Sequence, residues 1–165
     1  MKTLFAVDLR ASVENPEYDG TNCSHEYLGV TQSREQTVAN IEEVVKQATA
    51  NGIPVLNILP SKQSDTTSFL QGFEIFEKGH RTSGFDDHNL VDWYCQNKPD
   101  ETLVLGFSYQ CCVGDTILAG LNFGKIAYSR DLCLRRPSCK YNEPMKSHEN
   151  LIYLPTMDEV RNFLN

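Results

Sequence analysis

Short apolar runs alternate with longer amphipathic stretches along the whole chain. The run at residues 54–59 is apolar on both of its alternating faces, which is typical of a strand in a parallel sheet that helices cover on both sides. The other runs are similarly short and end at charged residues, glycine or polar loops. The pattern predicts six strands, at residues 3–9, 54–59, 73–77, 102–105, 125–129 and 150–154.

The stretches between these strands carry apolar residues at helical spacing. Ser33 with Gln36, and Thr156 with Glu159, form the Ser/Thr-x-x-Gln/Glu pattern that caps helix N-termini. Helices are predicted at residues 34–50 and 86–96, from the region of Cys112 to about 122, and from Thr156 onward.

Strands that alternate with helices indicate βαβ units, and therefore an α/β fold with a mostly parallel sheet. Right-handed crossovers then give a three-layer α/β/α sandwich with a Rossmann-like order of six strands. A chain of 165 residues is long enough for one domain with a sizeable core. We expect a single domain over residues 1–165, because no linker, repeat or low-complexity tract interrupts the pattern.

Composition and charge narrow the functional classes. The chain is 40% hydrophobic and 22% charged, as in ordinary soluble globular domains. Its formal net charge of −7 argues against a general surface for nucleic acid or for anionic membranes. We therefore expect no nucleic-acid partner and no membrane partner.

Cysteine is the most informative residue type in this composition. Residues 1–3 lead directly into the first predicted strand without a secretion signal, so we expect a cytoplasmic protein whose cysteines are free thiols. No pair has the spacing of a zinc finger, so no metal site is expected from them. The six cysteines are Cys23, Cys95, Cys111, Cys112, Cys133 and Cys139.

Three chemically active side chains stand at the ends of predicted strands. Asp8 follows the first apolar run, Lys78 follows the third, and Cys112 opens the helix after the fourth. The unpaired amides at a helix N-terminus favour a thiolate over a thiol, so the position of Cys112 predicts a lowered pKa. A carboxylate, a lysine and a thiol together form a candidate nucleophilic set.

Each of these residues also has an ordinary structural interpretation. A free cysteine is most often a buried structural residue, a carboxylate such as Asp8 can end a strand, and a lysine such as Lys78 is usually solvated. Cys111 is a competing thiol. One step along a helix rotates a side chain by about 100°, so we expect Cys111 and Cys112 to face different sides, with Cys111 pointing to the core.

Three short motifs occur in the same order as these side chains. They are Val7-Asp8-Leu9-Arg10, Lys78 followed by Ser83-Gly84-Phe85, and Gly106 with Cys112, Val113 and Thr116. In these motifs the sequence resembles the isochorismatase-like hydrolases, also called the cysteine hydrolase family, over nearly the whole chain. Arg10 departs from the family pattern, which has Gln at that position.

The resemblance implies a six-stranded sheet and a role for each motif residue. Cys112 would attack a carbonyl or amide carbon, Asp8 would take the thiol proton, and Lys78 would stabilise the anion. It also implies a cis peptide bond between Phe107 and Ser108, with backbone amides of Ser108 and Cys112 forming an oxyanion hole. Relatives that cleave an enol ether normally lack the cysteine, so Cys112 favours amides or carbamoyl compounds.

Further expectations concern what the site binds. Arg10, Phe85 and Tyr109 are candidate substrate-binding residues for a small molecule. Arg10 would suit a substrate carboxylate, which an arginine binds bidentately; the alternative is a plain surface residue. Metal-dependent relatives carry histidines between the second and third strands, whereas residues 59–70 contain only Asp65 as a candidate ligand. We therefore expect no metal and no cofactor.

Assembly and function stay open in part. Relatives are usually oligomers, so a homo-oligomer is expected, with Phe85, Trp93 and Tyr94 as candidate exposed contact residues; Trp93 filling the core is the alternative. The predicted function is cysteine-dependent hydrolysis of a small-molecule amide or carbamoyl C–N bond. The alternatives are a catalytically silent metabolite-binding module and a redox or thiol-storage protein, which only the pair Cys111-Cys112 supports.

Overall fold

The predicted alternation of elements produces one six-stranded parallel sheet in the computed structural model of this chain, which describes residues 1–14, 33–79, 83–134 and 147–165. The strand order is β3-β2-β1-β4-β5-β6, and every pairing between neighbours is parallel. This is the predicted Rossmann-like order. The strands are β1 (Lys2–Val7), β2 (Val55–Leu59), β3 (Ile75–Glu77), β4 (Glu101–Phe107), β5 (Lys125–Leu134) and β6 (Leu151–Tyr153).

Helices cover both faces of this sheet, which confirms the three-layer α/β/α sandwich. Their positions agree with the capping signals, since the Ser33 hydroxyl accepts from the Gln36 amide at 3.2 Å and Thr156 forms a complete capping box with Glu159. The described helices are α1 (Arg34–Ala50), α2 (His88–Asn97), α3 (Gly114–Gly120) and α4 (Met157–Leu164).

Alternation along β1 separates the core into two halves. Leu4 and Ala6 pack on one face with residues of α1 and α4, whereas Phe5 and Val7 pack on the other with residues of α2 and α3. All four side chains are fully buried. After Thr3, β1 carries no polar residue until it ends at Val7, which places Asp8 directly at the edge of the sheet.

β5 is longer than the sequence predicts. The prediction ends this strand at residue 129, but the strand continues to Leu134. An irregularity explains the difference, because β5 advances from Tyr128 to Cys133 while β4 advances only from Val104 to Gly106. Polar residues inside such a bulge interrupt the apolar pattern without ending the strand.

Exposure of the aromatic side chains corrects one expectation. Phe85 and Tyr94, predicted as exposed contact residues, are only 8% and 3% exposed. They pack with each other and with Phe5, and Phe85 stacks on the ring of Phe123 at 4.8 Å between centroids. Trp93 is half-buried against the same cluster. The aromatic residues that were expected to contact a partner subunit are therefore largely part of the core.

None of the described helices is both long and apolar enough to cross a bilayer. The single-domain boundaries stay a prediction.

Gly106 allows β1 and β4 to approach closely. Its φ is +129°, and a Cβ atom there would lie 2.1 Å from the carbonyl oxygen of Val7. Gly52 also has positive φ, at +68°, but a Cβ atom there meets open space. The two glycines therefore separate the cost of positive φ from the cost of a steric clash.

We predict that Gly106→Ala lowers the free energy of unfolding by at least about 3 kcal/mol, since a clash with backbone adds to the positive φ. Gly52→Ala should cost only about 1 kcal/mol. Denaturant unfolding of both variants tests this. Equal losses would show that β1 and β4 do not constrain residue 106.

The expected homo-oligomer stays a prediction, now without Phe85 and Tyr94 as its contact residues. Sedimentation velocity at micromolar concentration should give a dimer or a larger species. A single species at 18.7 kDa, the mass of one chain, would contradict this expectation.

Candidate active site

Three elements bring their ends together where the strand order reverses. β1 pairs with β2 on one side and with β4 on the other. Crevices at the carboxyl ends of strands, at such a switch point, are where open α/β sheets bind ligands. Asp8 follows β1, Lys78 follows β3, and Cys112 follows β4. The sheet places all three predicted residues at this edge.

Asp8 is held by the backbone on which it sits. Its amide donates to the carbonyl of Ile58 at 2.8 Å, which extends the pairing of β1 with β2 by one residue. Its φ of +52° lies in the left-handed region, which few residues other than glycine adopt and in which Asp is enriched. The residue is 6% exposed. The chain therefore turns sharply at Asp8 while it keeps the carboxylate buried.

Lys78 contacts both of the other predicted catalytic residues. Its ammonium nitrogen lies 3.2 Å from Asp8 Oδ2 and donates to Cys112 Sγ at 3.5 Å. Lys78 is only 4% exposed, and its amide donates to the carbonyl of Leu59 at 2.9 Å. The second oxygen of the carboxylate, Asp8 Oδ1, is buried and has no hydrogen bond of ordinary geometry among the described residues.

Cys112 sits on a single wide turn, Tyr109–Val113, which precedes α3. The Ser108 carbonyl accepts from the amides of Cys111 and Val113, at 3.0 and 3.1 Å. The peptide bond between Phe107 and Ser108 is cis, as the resemblance implies. Ser108 and Cys112, whose amides are the predicted oxyanion donors, both line the same cavity.

The predicted orientation of Cys111 is wrong. Neighbouring side chains diverge only where the backbone keeps regular helical geometry. The structure instead has a kink at Cys111, with φ of −134° and ψ of −107°. Cys111 and Cys112 are both half-buried and both line the cavity. Two thiols therefore border the site.

Thr116 connects the turn that carries Cys112 to the segment after Lys78. Its hydroxyl donates to the carbonyl of Cys112 at 2.6 Å and accepts from the Gly84 amide at 2.9 Å. Thr116 is fully buried. The family-like motifs around Gly84 and Thr116 are thus joined by a pair of hydrogen bonds that set the relative positions of two site segments.

The expected lowering of the thiol pKa is also wrong. Burial, reinforced by the hydrogen-bonding capacity and negative charge of Asp8, raises the pKa of Cys112 to about 12, whereas Lys78 acts in the opposite direction. Burial and the Asp8 carboxylate outweigh any effect of the local backbone at the helix N-terminus. In the resting site, Cys112 is a neutral thiol beside a buried carboxylate.

The described residues around Cys112 form a cavity of about 90 Å³. Arg10 is on its wall, as predicted, and is exposed. Residues that the sequence prediction did not include also contribute; their proximity to Asp8, Ser108 and Cys112 along the chain is the signal that could have identified them. These additional residues are Ser12, Val13, Phe107 and Cys111.

The structure does not place Phe85 and Tyr109 at the cavity. Phe85 lies in the aromatic cluster described above, and Tyr109 is 1% exposed and packs against Tyr128 with ring centroids 6.1 Å apart. Both residues follow a motif closely in sequence, but their apolar rings enter the core. Their predicted role in substrate binding is corrected accordingly.

No group of three or more metal-ligating side chains gathers anywhere in the described ranges. Asp65 is exposed in the loop after β2, and His88 is exposed at the start of α2. The expectation of a metal-free site stays a prediction. His80, Cys23 and Cys139, which are further side chains able to bind a metal, lie outside the described residues.

Comparisons with solved structures support the fold. An isochorismatase-like hydrolase from Alkaliphilus metalliredigens matches with a TM-score of 0.71 at 16% identity, covering 99% of both chains. N-carbamoylsarcosine amidase from Thermoplasma acidophilum matches with a TM-score of 0.63 at 18% identity, over 83% of this chain and 86% of that one. Pyrazinamidase of Pyrococcus horikoshii, in complex with zinc, gives 0.63 at 14% identity, over 83% and 88%.

Neither a protein-family model nor a curated protein matches the sequence. The structural matches show that the chain has the fold of the isochorismatase-like hydrolases. Two of the matched structures are named as amidases. These matches confirm the resemblance seen in the sequence at the level of the fold.

We predict that Asp8 and Lys78 change the reactivity of Cys112 in opposite directions. Asp8→Asn removes a negative charge that raises the thiol pKa, so alkylation by iodoacetamide at pH 8 should accelerate roughly tenfold or more. Lys78→Met removes the opposing positive charge and should slow it. Tandem mass spectrometry reads Cys112 separately from Cys111.

Cys95, which is exposed on α2, provides the internal reference for the alkylation rates. Its modification should be the same in all three proteins. Alkylation of Cys112 that is as fast as that of Cys95 in the unmodified protein at neutral pH would contradict the raised pKa.

Proposed function

We propose that the protein is a cysteine-dependent hydrolase of small-molecule amide or carbamoyl C–N bonds. The observation that carries this proposal is the contact of Lys78 with both Asp8 and Cys112, at 3.2 and 3.5 Å, on a cavity at the switch point of the sheet. A nucleophile, a proton acceptor and a cation in mutual contact are the components of covalent acyl transfer.

Acylation begins from the neutral thiol. Asp8 takes the Cys112 proton as Sγ attacks the carbonyl carbon, so charge separates only during the reaction. The carbonyl oxygen becomes an oxyanion, which the backbone amides of Ser108 and Cys112 would stabilise. The tetrahedral intermediate then collapses, the C–N bond breaks, and Asp8 returns the proton to the departing nitrogen. The products of this half-reaction are an amine or ammonia and, on Cys112, a thioester from an amide or a thiocarbamate from a carbamoyl compound.

Deacylation repeats the sequence with water in place of the thiol. Asp8 takes a proton from a water molecule as the oxygen of that water attacks the thioester or thiocarbamate carbon. The C–S bond then breaks, and the Cys112 sulfur regains a proton from Asp8. The ammonium group of Lys78 lies beside both residues, so it would stabilise the negative charge as that charge moves from the carboxylate to the sulfur. The acid leaves and the resting site is restored.

The choice of amide or carbamoyl substrates has two supports. A thiol that forms a thioester suits carbonyl carbon with a nitrogen leaving group, and the matched structures include proteins named as an N-carbamoylsarcosine amidase and a pyrazinamidase. The proposed acylation and deacylation steps use only side chains and backbone amides of the described residues. No metal or cofactor enters the proposed steps.

The second candidate is a catalytically silent module that binds a small metabolite. The raised pKa of Cys112 favours it, because a binding protein has no use for a thiolate and a neutral thiol is inert until a base removes its proton. The two candidates differ in turnover, and both are compatible with the cavity.

We predict turnover within a panel of primary amides and ureido compounds, measured as ammonia release in the presence of a metal chelator. Cys112→Ala should reduce the rate at least about a thousandfold, because it removes the nucleophile. Asp8→Asn and Lys78→Ala should each reduce it by about a hundredfold or more. Losses in the double variants should be far from additive, since the three residues act together.

Cys95→Ala is the matched control, because this cysteine is exposed on α2. It should keep full activity. Undiminished ammonia release by Cys112→Ala would refute the mechanism, and activity that disappears with the chelator would refute its metal independence. Ligand binding without any turnover across the panel would favour the silent module.

A further inference from the structure

Arg10 is a charged residue on the wall of the cavity, and no described residue forms an ion pair with its guanidinium. It is exposed, it lines the same cavity as Asp8 and Cys112, and no ion pair or side-chain hydrogen bond joins its guanidinium to another described residue. An arginine presents five donors in a rigid, planar fork that matches a carboxylate. The feature to explain is therefore an unused bidentate donor beside a candidate nucleophile.

The backbone fixes the point from which this side chain extends. The Arg10 amide donates to the Asp8 carbonyl at 3.0 Å, and its carbonyl accepts from the Val13 amide at 2.9 Å. Arg10 also forms an isolated bridge with Thr66. A short turn, Ala11–Glu14, follows directly. The origin of the side chain is thus tied to Asp8, two residues earlier.

The charges of the described residues around the cavity leave Arg10 uncompensated. Asp8 and Lys78 form an ion pair and offset each other, and Cys112 is a neutral thiol. Among the described residues that line the cavity, Arg10 and Asp8 are the charged ones. The chain as a whole carries a formal net charge of −7, which would repel an anionic ligand. Arg10 is therefore a local positive charge at the cavity of a protein whose overall charge is negative.

We propose that Arg10 is a specificity-determining residue that binds a carboxylate of the substrate. The inference rests on the proposed function, and it narrows the substrates to amides or carbamoyl compounds that also carry a carboxylate. The guanidinium would bind that group through two parallel N–H···O bonds. Arg10 takes no part in proton transfer or bond cleavage.

The first test measures binding without turnover. Cys112→Ala is titrated calorimetrically with malonamate, succinamate and glutaramate, and with propionamide, butyramide and valeramide, in which a methyl group replaces the carboxylate. At least one of the three acids should bind about tenfold to a hundredfold more tightly than its neutral counterpart. Adding Arg10→Gln to Cys112→Ala should remove this preference.

The second test measures the ratio of kcat/KM for each acid and its neutral counterpart in the otherwise unmodified protein. Arg10→Gln should bring the preferred pair close to a ratio of one, whereas Arg10→Lys should keep part of the preference, because it retains the charge but not the fork. The ratio should fall with increasing salt, since Arg10 is exposed. Lys125→Gln removes one positive charge at the opposite edge of the sheet, where β5 begins, and should leave the ratio unchanged.

The outcomes separate this inference from the proposed function. Turnover with equal kcat/KM for acids and neutral amides would overturn the role of Arg10 and leave the hydrolase intact. Preferential binding of an acid that depends on Arg10, with no turnover of any compound, would overturn the hydrolase and support Arg10 as an anion-binding residue. Absence of any preference in the calorimetric titrations, or a preference that survives Arg10→Gln, would overturn the inference.

Discussion

The buried ion pair between Asp8 and Lys78 is the interaction on which the candidate site depends. The two residues are 6% and 4% exposed, and 3.2 Å separates their charged atoms. Charges removed from water lose hydration, and only good geometry with further hydrogen bonds compensates for it. Lys78 gains such a contact by donating to Cys112 Sγ. Asp8, Lys78 and Cys112 follow three different strands. The ion pair and its contact with Cys112 therefore form only while those strand ends stay together.

Much of the fold follows from the sequence because local signals and long-range packing agree. The cap at Ser33 and the apolar spacing define α1 at residues 34–50, as predicted. The convergence of Asp8, Lys78 and Cys112 was also predictable, since parallel strands bring their carboxyl ends to one edge of a sheet. The end of β5 was not predictable, because a bulge places polar residues inside a continuous strand.

The errors at the site share a physical cause, which is that spacing along a sequence does not determine direction or burial. Cys111 faces the cavity because the backbone departs from helical angles at that residue. Phe85 and Tyr109 lie close to motif residues, but their rings complete the core. The pKa of Cys112 is raised because burial and the Asp8 carboxylate together outweigh Lys78. Only the arrangement in three dimensions decides among such opposing effects.

The site has two sides, which the fold builds in different ways. One side, which carries Asp8, Lys78 and Cys112, comes from strand ends whose positions depend on the whole sheet, including the close approach of β1 and β4 at Gly106. The other side is the turn after β1, which begins beyond Arg10 and is held by separate contacts, such as that of the Glu14 carboxylate with Ser68. The specificity that we propose for Arg10, the residue directly before this turn, therefore depends on contacts other than those that Lys78 makes with Asp8 and Cys112.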